Sequence, residues 1–373
     1  MDKKFVMGIA AMAALTLVSC SSDDLDSVSD NSSKNEAISF DGYLGRSAVA
    51  VNGTRGSVLN KDSLQNFTPQ GFGVFGYHNT TDHSSETGQS FNANLFNNQQ
   101  VTYDKTNSKW TYSPLKFWPS DGHIDFLAYA PYNVGTVDNK YCLDFTVSKT
   151  ITEQKDLLWA KTEDQTMANN SGTNKVTFNF KHALSRLGYT VNLYGDFSKD
   201  PANKTTFTLN KLILAGSYPK STTETAQAFY TKGTIDLSTG NWTPKDKDKK
   251  QDFEWVSSDK QVSNTGIQNA GTDYLFVIPQ NFSEKIGEAV NTDKLYVIVE
   301  YTINYGDGSE PVINKVYKQI TPNFGQGKAY MLNLIIGLPI EFDVNVVEEW
   351  KKPEDGTGDI NIGSNDNNPW DRE

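Results

Sequence analysis

Four histidines, two cysteines and the Ser-x-x-Lys string at 217–220 are residues of this chain that could begin acid–base, metal or nucleophilic chemistry. His78 and His83 lie five apart in a polar Asn/Thr/Ser stretch. A zinc or nucleophile site instead needs convergent ligands on rigid elements. Asp121-Gly122-His123-Ile124-Asp125 brings acid and base close together, but Asp121-Gly122 is a turn pair opening a strand, and alternation directs Asp125 outward. His182 reads as a capping or packing residue. Ser217-Tyr218-Pro219-Lys220 has the spacing of a penicillin-binding nucleophile. Its companion Ser29-Asp30-Asn31 falls in a polar N-terminal stretch, and no Lys-Thr-Gly follows. Asp359-Ile360-Asn361-Ile362-Gly363 lacks the closing glutamate of a calcium loop, and no glycine-rich phosphate loop opens a helix. The expectation is no catalytic residue, no metal and no cofactor.

Covalent chemistry of another kind is expected at Cys20. Lys3 and Lys4 precede an apolar run at 5–15, which closes on Leu17-Val18-Ser19-Cys20. The run is shorter than the about 20 residues a spanning helix needs, so it reads as a cleaved export signal. Its ending resembles a bacterial lipobox, in which the cysteine is acylated and becomes the new N-terminus. Each buried methylene of the lipid adds roughly 0.8 kcal/mol of membrane affinity. Residues 1–19 are therefore the expected signal peptide. Residues 20–36, rich in Ser, Asp and Asn, bury too little to fold and form an acidic tether. Ser21-Ser22-Asp23-Asp24-Leu25-Asp26 is similar to the signals that send Bacteroidetes lipoproteins to the outer face of the outer membrane. Cys142 then lacks a partner and reads as a half-buried strand residue.

The whole chain carries a net charge of −11, and loss of Asp2, Lys3 and Lys4 with the signal makes it −12. Nucleic-acid binding needs a basic footprint, so no nucleic-acid partner is expected.

The elements that would position any site are strands. Aromatic residues make up 12% of the chain, and Tyr, Phe, Thr and Val recur with period 2, the pattern of half-buried strands. Alternation predicts strands at 37–44, 71–77, 124–130, 143–147, 176–180, 187–193, 206–214, 273–278, 294–303, 312–318, 330–336 and 340–346. Only 61–67 and 182–187 predict a helical turn or two, and 245–250 predicts a charged, solvated loop. A dozen or more strands with Gly/Asn/Asp turns predict β-sandwiches. The length predicts two, divided at the polar stretch 195–204.

Several phrases resemble the fimbrillin (FimA/Mfa-like) family of Bacteroidetes type V pilus subunits. They are Phe117-Trp118-Pro119 with 124–131, Asp156-Leu157-Leu158-Trp159-Ala160, 176–187, Phe276-Val277-Ile278-Pro279-Gln280, Gly327-Lys328-Ala329-Tyr330 and 340–350. The resemblance implies an all-β fold of two tandem transthyretin-like, Greek-key β-sandwich domains with few short helices. These would be an N-terminal domain at 37–195 and a C-terminal domain at 196–350. It also implies removal of the first strand and loop, 37–55, by an arginine-specific protease. The loops Gly53-Thr54-Arg55-Gly56-Ser57 and Gly45-Arg46-Ser47 suit such a protease, with Arg55 the preferred cleavage site and Arg46 the runner-up. Partners would be other fimbrillin subunits, the protease, the outer membrane through lipid on Cys20, and a host or bacterial surface ligand. The place would be the cell outer membrane, then the fimbrium after processing. Polymerisation would proceed by donor-strand exchange, with the tail 351–373 as donor. The rival readings are a pilus tip or anchor adhesin, and a glycan-binding surface lipoprotein using Trp110, Trp242, Trp350 and Trp370.

Overall fold

The structure, a computed structural model, describes residues 36–43, 59, 61–66, 71–81, 90–171, 175–196, 202, 204–269, 273–283 and 293–336, with backbone alone at 341–347. Cys20, Arg46, Arg55, His83, Trp350, the tail and all of the tether but Glu36 lie outside these residues. Among them the fold is an all-β sandwich, and Lys61–Asn66 is its one α-helix.

The largest sheet runs, in spatial order, Lys181–His182, Leu158–Gln165, His123–Ala130, Phe72–Asn79, Phe96–Asp104 and Lys109–Thr111. All its pairings are antiparallel. The central strand His123–Ala130 is buried along its whole length. Ile124, Phe126, Ala128 and Ala130 enter one core with Ile38, Phe40, Phe72 and Phe178. Leu127 and Tyr129 enter a second core on the opposite face. The sheet is thus a wall between two cores, which corrects the outward placement of Asp125. That residue is only 8% exposed, because both faces of its strand are covered.

Against the first face lies a two-stranded parallel sheet, Ser39–Tyr43 with Lys175–Asn179. The second core draws chiefly on three further sheets. One is led by Thr206–Ala215 and Leu295–Asn304, and another by Ser185–Leu193 and Ala329–Ile336. The third pairs Cys142–Thr146 with Phe229–Asp236. Ser185–Leu193 runs parallel to Ala329–Ile336. Backbone pairing therefore crosses residues 195–196, where two domains are expected to meet.

Two further expectations are corrected. Residues 182–187 are extended rather than helical: Lys181–His182 pairs with Trp159 and Leu158, and the Ala183 N–H donates to Leu157 O at 2.7 Å. The helix-like spacing of Ala183, Leu184 and Leu187 reflects a chain crossing between sheets, with all three buried in the second core. Residues 245–250 belong to the strand Trp242–Gln251. It is the edge of its sheet, where charge is tolerated and discourages pairing with other chains.

Candidate functional site

The feature that stands apart is the seat of the first strand. Ile38 and Phe40 are 1% and 3% exposed, while Ser39 and Asp41 between and beyond them are half-buried. That alternation is what a strand laid over an apolar groove requires. The Phe40 ring meets Phe96 and Tyr112 at 5.4 Å each, Phe178 at 5.6 Å and Phe126 at 5.7 Å between centroids. Burying an Ile or a Phe contributes roughly 1.5–3 kcal/mol each, so the two side chains dominate how firmly the strand is held.

Backbone bonds hold the same segment from both sides. Ser39–Tyr43 pairs with Lys175–Asn179, Ser39 opposite Lys175 and Tyr43 opposite Asn179. On the other side the Ile38 N–H donates to Lys116 O at 2.8 Å, and the Trp118 N–H donates to Glu36 O at 3.0 Å. The Tyr112 hydroxyl donates to Ile38 O at 2.7 Å and accepts the Lys116 N–H at 3.2 Å. Burial pushes the Tyr112 phenol up from its ordinary value, against the lowering effect of the Lys116 N–H. Its neutral O–H therefore stays available to the strand.

The chain re-enters the same core at Leu59, 1% exposed. The Leu59 N–H donates to Asp156 Oδ2 at 3.0 Å, and the Leu157 N–H donates to Oδ1 at 2.8 Å. His182 Nδ1 lies 2.8 Å from Asp156 Oδ2. Arg46 and Arg55 thus fall in sequence between two seated segments, 36–43 and Leu59 with the helix that follows. Tyr112 and Asp156 were not singled out by sequence reasoning. The signal for Asp156 was a carboxylate heading the apolar run Leu157-Leu158-Trp159-Ala160; Tyr112 carried none beyond alternation with Trp110.

The residues weighed for catalysis are dispersed or engaged. His78 Nε2 is 2.9 Å from Asp121 O, so it donates to a turn carbonyl. His123 Nε2 stands 3.8 Å from Asp125 Oδ2, beyond hydrogen-bond range. Asp125 itself accepts the Asp164 N–H at 2.8 Å. The Ser217 hydroxyl donates to Pro219 O and accepts the Ser221 N–H, forming a turn rather than a Ser–Lys pair. Among the described residues no group of three or more His, Cys, Asp or Glu could share a metal. No helix there is long and apolar enough to cross a membrane. Trp110, read as exposed enough to stack on sugars, is buried against Phe72 and Tyr103 at 4.9 and 5.2 Å. Trp242 is half-buried and donates its Nε1–H to Ala183 O at 2.7 Å.

An all-β body with a strand-filled groove defines a protein of the β-sandwich class. The fimbrillin-like family model matches residues 63–350, and the chain belongs to that family. Its members are structural, non-enzymatic proteins of cell-surface fimbriae that act in adhesion and meet other fimbrial subunits. Solved structures similar to this chain include a Bacteroides uniformis protein described as a cell adhesion protein, with TM-score 0.45 and 16% identity over 86% of this chain and 100% of that one. A Bacteroides ovatus protein described in the same words has TM-score 0.40 and 14% identity over 75% and 88%. The fimbrial anchor protein Mfa2 from Porphyromonas gingivalis has TM-score 0.29 and 10% identity over 74% and 90%. No curated protein matches the chain.

Proposed function

We propose that this chain is a subunit of a type V pilus, exported as a lipoprotein acylated on Cys20 and held on the outer membrane until processed. An arginine-specific protease cuts after Arg55, or secondarily after Arg46, and the segment bearing Ser39–Tyr43 leaves. The observation that carries the reading is the burial of Ile38 and Phe40 on a segment whose strand, Ser39–Tyr43, lies outside the large sheet. Its departure would leave an apolar groove lined by Phe96, Phe126 and Phe178, and an unpaired edge at Lys175–Asn179. Both gain from a replacement strand. Asp156 supports the same reading, because it holds Leu59 after either cut. The tail supplies a donor of matching spacing, since Ile360 and Ile362 stand two apart like Ile38 and Phe40.

The test is limited cleavage of the purified chain with an arginine-specific protease, followed by size-exclusion chromatography and mild SDS electrophoresis. The uncut chain should stay monomeric and the cut chain should form ladders. A cut chain that is strictly monomeric at high concentration would overturn the stem role and favour a tip subunit.

A further inference from the structure

A cleft of about 630 Å³ opens on the second face of the large sheet, away from the first-strand groove. Its volume falls in the about 300–1,000 Å³ range of small-molecule sites. Tyr77, Phe91 and Tyr141 form its aromatic side; Phe91 meets Tyr141 edge-on at 4.7 Å and Tyr77 at 5.8 Å. Asp125, Lys161 and Glu163 line the sheet side, with Lys161 Nζ 2.6 Å from Glu163 Oε1.

Three backbone irregularities converge here. The register between His123–Ala130 and Leu158–Gln165 shifts between Ile124 and Phe126, at Asp125, and bulges of this kind re-aim side chains beside functional sites. Asp164, whose N–H the Asp125 carboxylate accepts, has φ +53°. Tyr141 has φ +62°, an uncommon conformation for a bulky side chain. It is held there by its N–H to Asp138 O at 3.1 Å, by the Leu237 N–H to its carbonyl at 3.1 Å, and by the Ala93 N–H to its hydroxyl at 2.7 Å. Strain persists where surrounding structure over-determines it, and it clusters at ligand sites.

We propose that this cleft binds a neutral oligosaccharide. Its two carboxylates, Asp125 and Glu163, are matched by two ammonium groups, Lys161 and Lys140. An anion would face the first pair and a cation the second, so net charge is disfavoured. A hydroxyl-rich ligand can donate to the carboxylates and accept from the lysines and Asn139 at once. The apolar C–H face of a pyranose ring packs on Tyr77, Phe91 and Tyr141, and the two tyrosines add polar tips to apolar bodies. The site shares none of these residues with the first-strand groove, so it stands whether or not strand exchange occurs.

The test is saturation-transfer NMR on the full chain with maltotriose, chitotriose and N-acetyllactosamine, with sialic acid and spermidine as charged probes. At least one neutral saccharide should bind. Phe91→Ala and the exposed, fold-neutral Glu163→Gln should each weaken it by about tenfold, with unchanged circular dichroism and thermal midpoint. Absence of binding by all three saccharides overturns the proposal, as does stronger binding of a charged probe. Binding that both variants keep within about twofold overturns it too.

Discussion

The ring of Phe40 lies stacked on that of Phe178, centroids 5.6 Å apart and planes inclined by 28°. The first residue comes from the first strand and the second from the strand it pairs with, so this contact joins the first strand to the body. Truncating Phe178 to alanine leaves a fully buried void and should cost about 3–5 kcal/mol in urea unfolding. A cycle with Phe40→Ala should return a coupling of about 0.5–1.5 kcal/mol. A loss at Phe178 below about 1 kcal/mol would show that the groove collapses freely, against the open seat proposed above.

Replacing Cys20 by alanine should abolish lipidation and leave precursor or soluble protein in the periplasm. Detergent partitioning of the variant and surface labelling of cells read this directly. Normal surface display of the variant would remove the lipoprotein reading.

The N-terminus of the surface-extracted protein identifies the processing site. Mass spectrometry should find Gly56, and Arg55→Ala should move the end to Ser47 or block maturation. Deleting 358–373 should prevent ladders of cut chains if that tail is the donor. Ladders of unchanged strength would assign the donor elsewhere in the chain.

A fragment ending at residue 195 should not fold by itself. Its Ser185–Leu193 strand would lose Ala329–Ile336, and Cys142–Thr146 would lose Phe229–Asp236. Leu127 and Tyr129 would face water. Circular dichroism and proton NMR of the fragment decide the matter, and a dispersed, cooperatively melting spectrum would contradict the shared wall.

Alkaline pH should destabilise the fold. Tyr230 is pushed up from 10.0 to about 12, first by burial and then by the nearby Asp293 carboxylate, whose Oδ2 accepts its hydroxyl at 3.3 Å. Below pH 10 the phenol is neutral in both states and stability is at its full value. Between pH 10 and about 12 the unfolded phenol loses its proton while the folded one keeps it, so stability falls. Tyr112, Tyr129, Tyr274, Tyr301 and Tyr330, raised chiefly by burial, act in the same direction. Unfolding midpoints across this window should drop less steeply in Tyr230→Phe. Equal slopes in the two proteins would refute the assignment to Tyr230.

Where one strand face is dry and the other wet, the sequence was readable. The alternation at 294–303 became Leu295–Asn304, and that at 176–180 became Lys175–Asn179. Reading failed at the two extremes. His123–Ala130 is buried on both faces, so Asp125 had no outward side to occupy. Trp242–Gln251 is an edge whose residues from Lys245 to Lys249 stand in solvent, and it carries no apolar rhythm. Phe96–Asp104 spends its length on Asn and Gln with only Phe96 and Val101 buried. Ile38 and Phe40 were legible because the groove demands period 2. The cleft lined by Tyr77, Phe91 and Tyr141 was not, because residues from Tyr77 to Ser238 meet there only after two sheets have formed.

The parallel pairing of Ser39–Tyr43 with Lys175–Asn179 also sets an order of events. Its partners are more than a third of the chain apart, and closing so long a loop is rewarded only once the distant strand exists. That separation exceeds every pairing in the large sheet, so the first strand is seated after that sheet has formed. Pulsed hydrogen exchange should find the amides of 39–43 protected after those of the large sheet. In that interval the chain is already long enough to present the empty groove to a neighbour. The strand belongs to the same chain as its groove, which keeps it at high local concentration, so self-insertion outruns insertion by a neighbour.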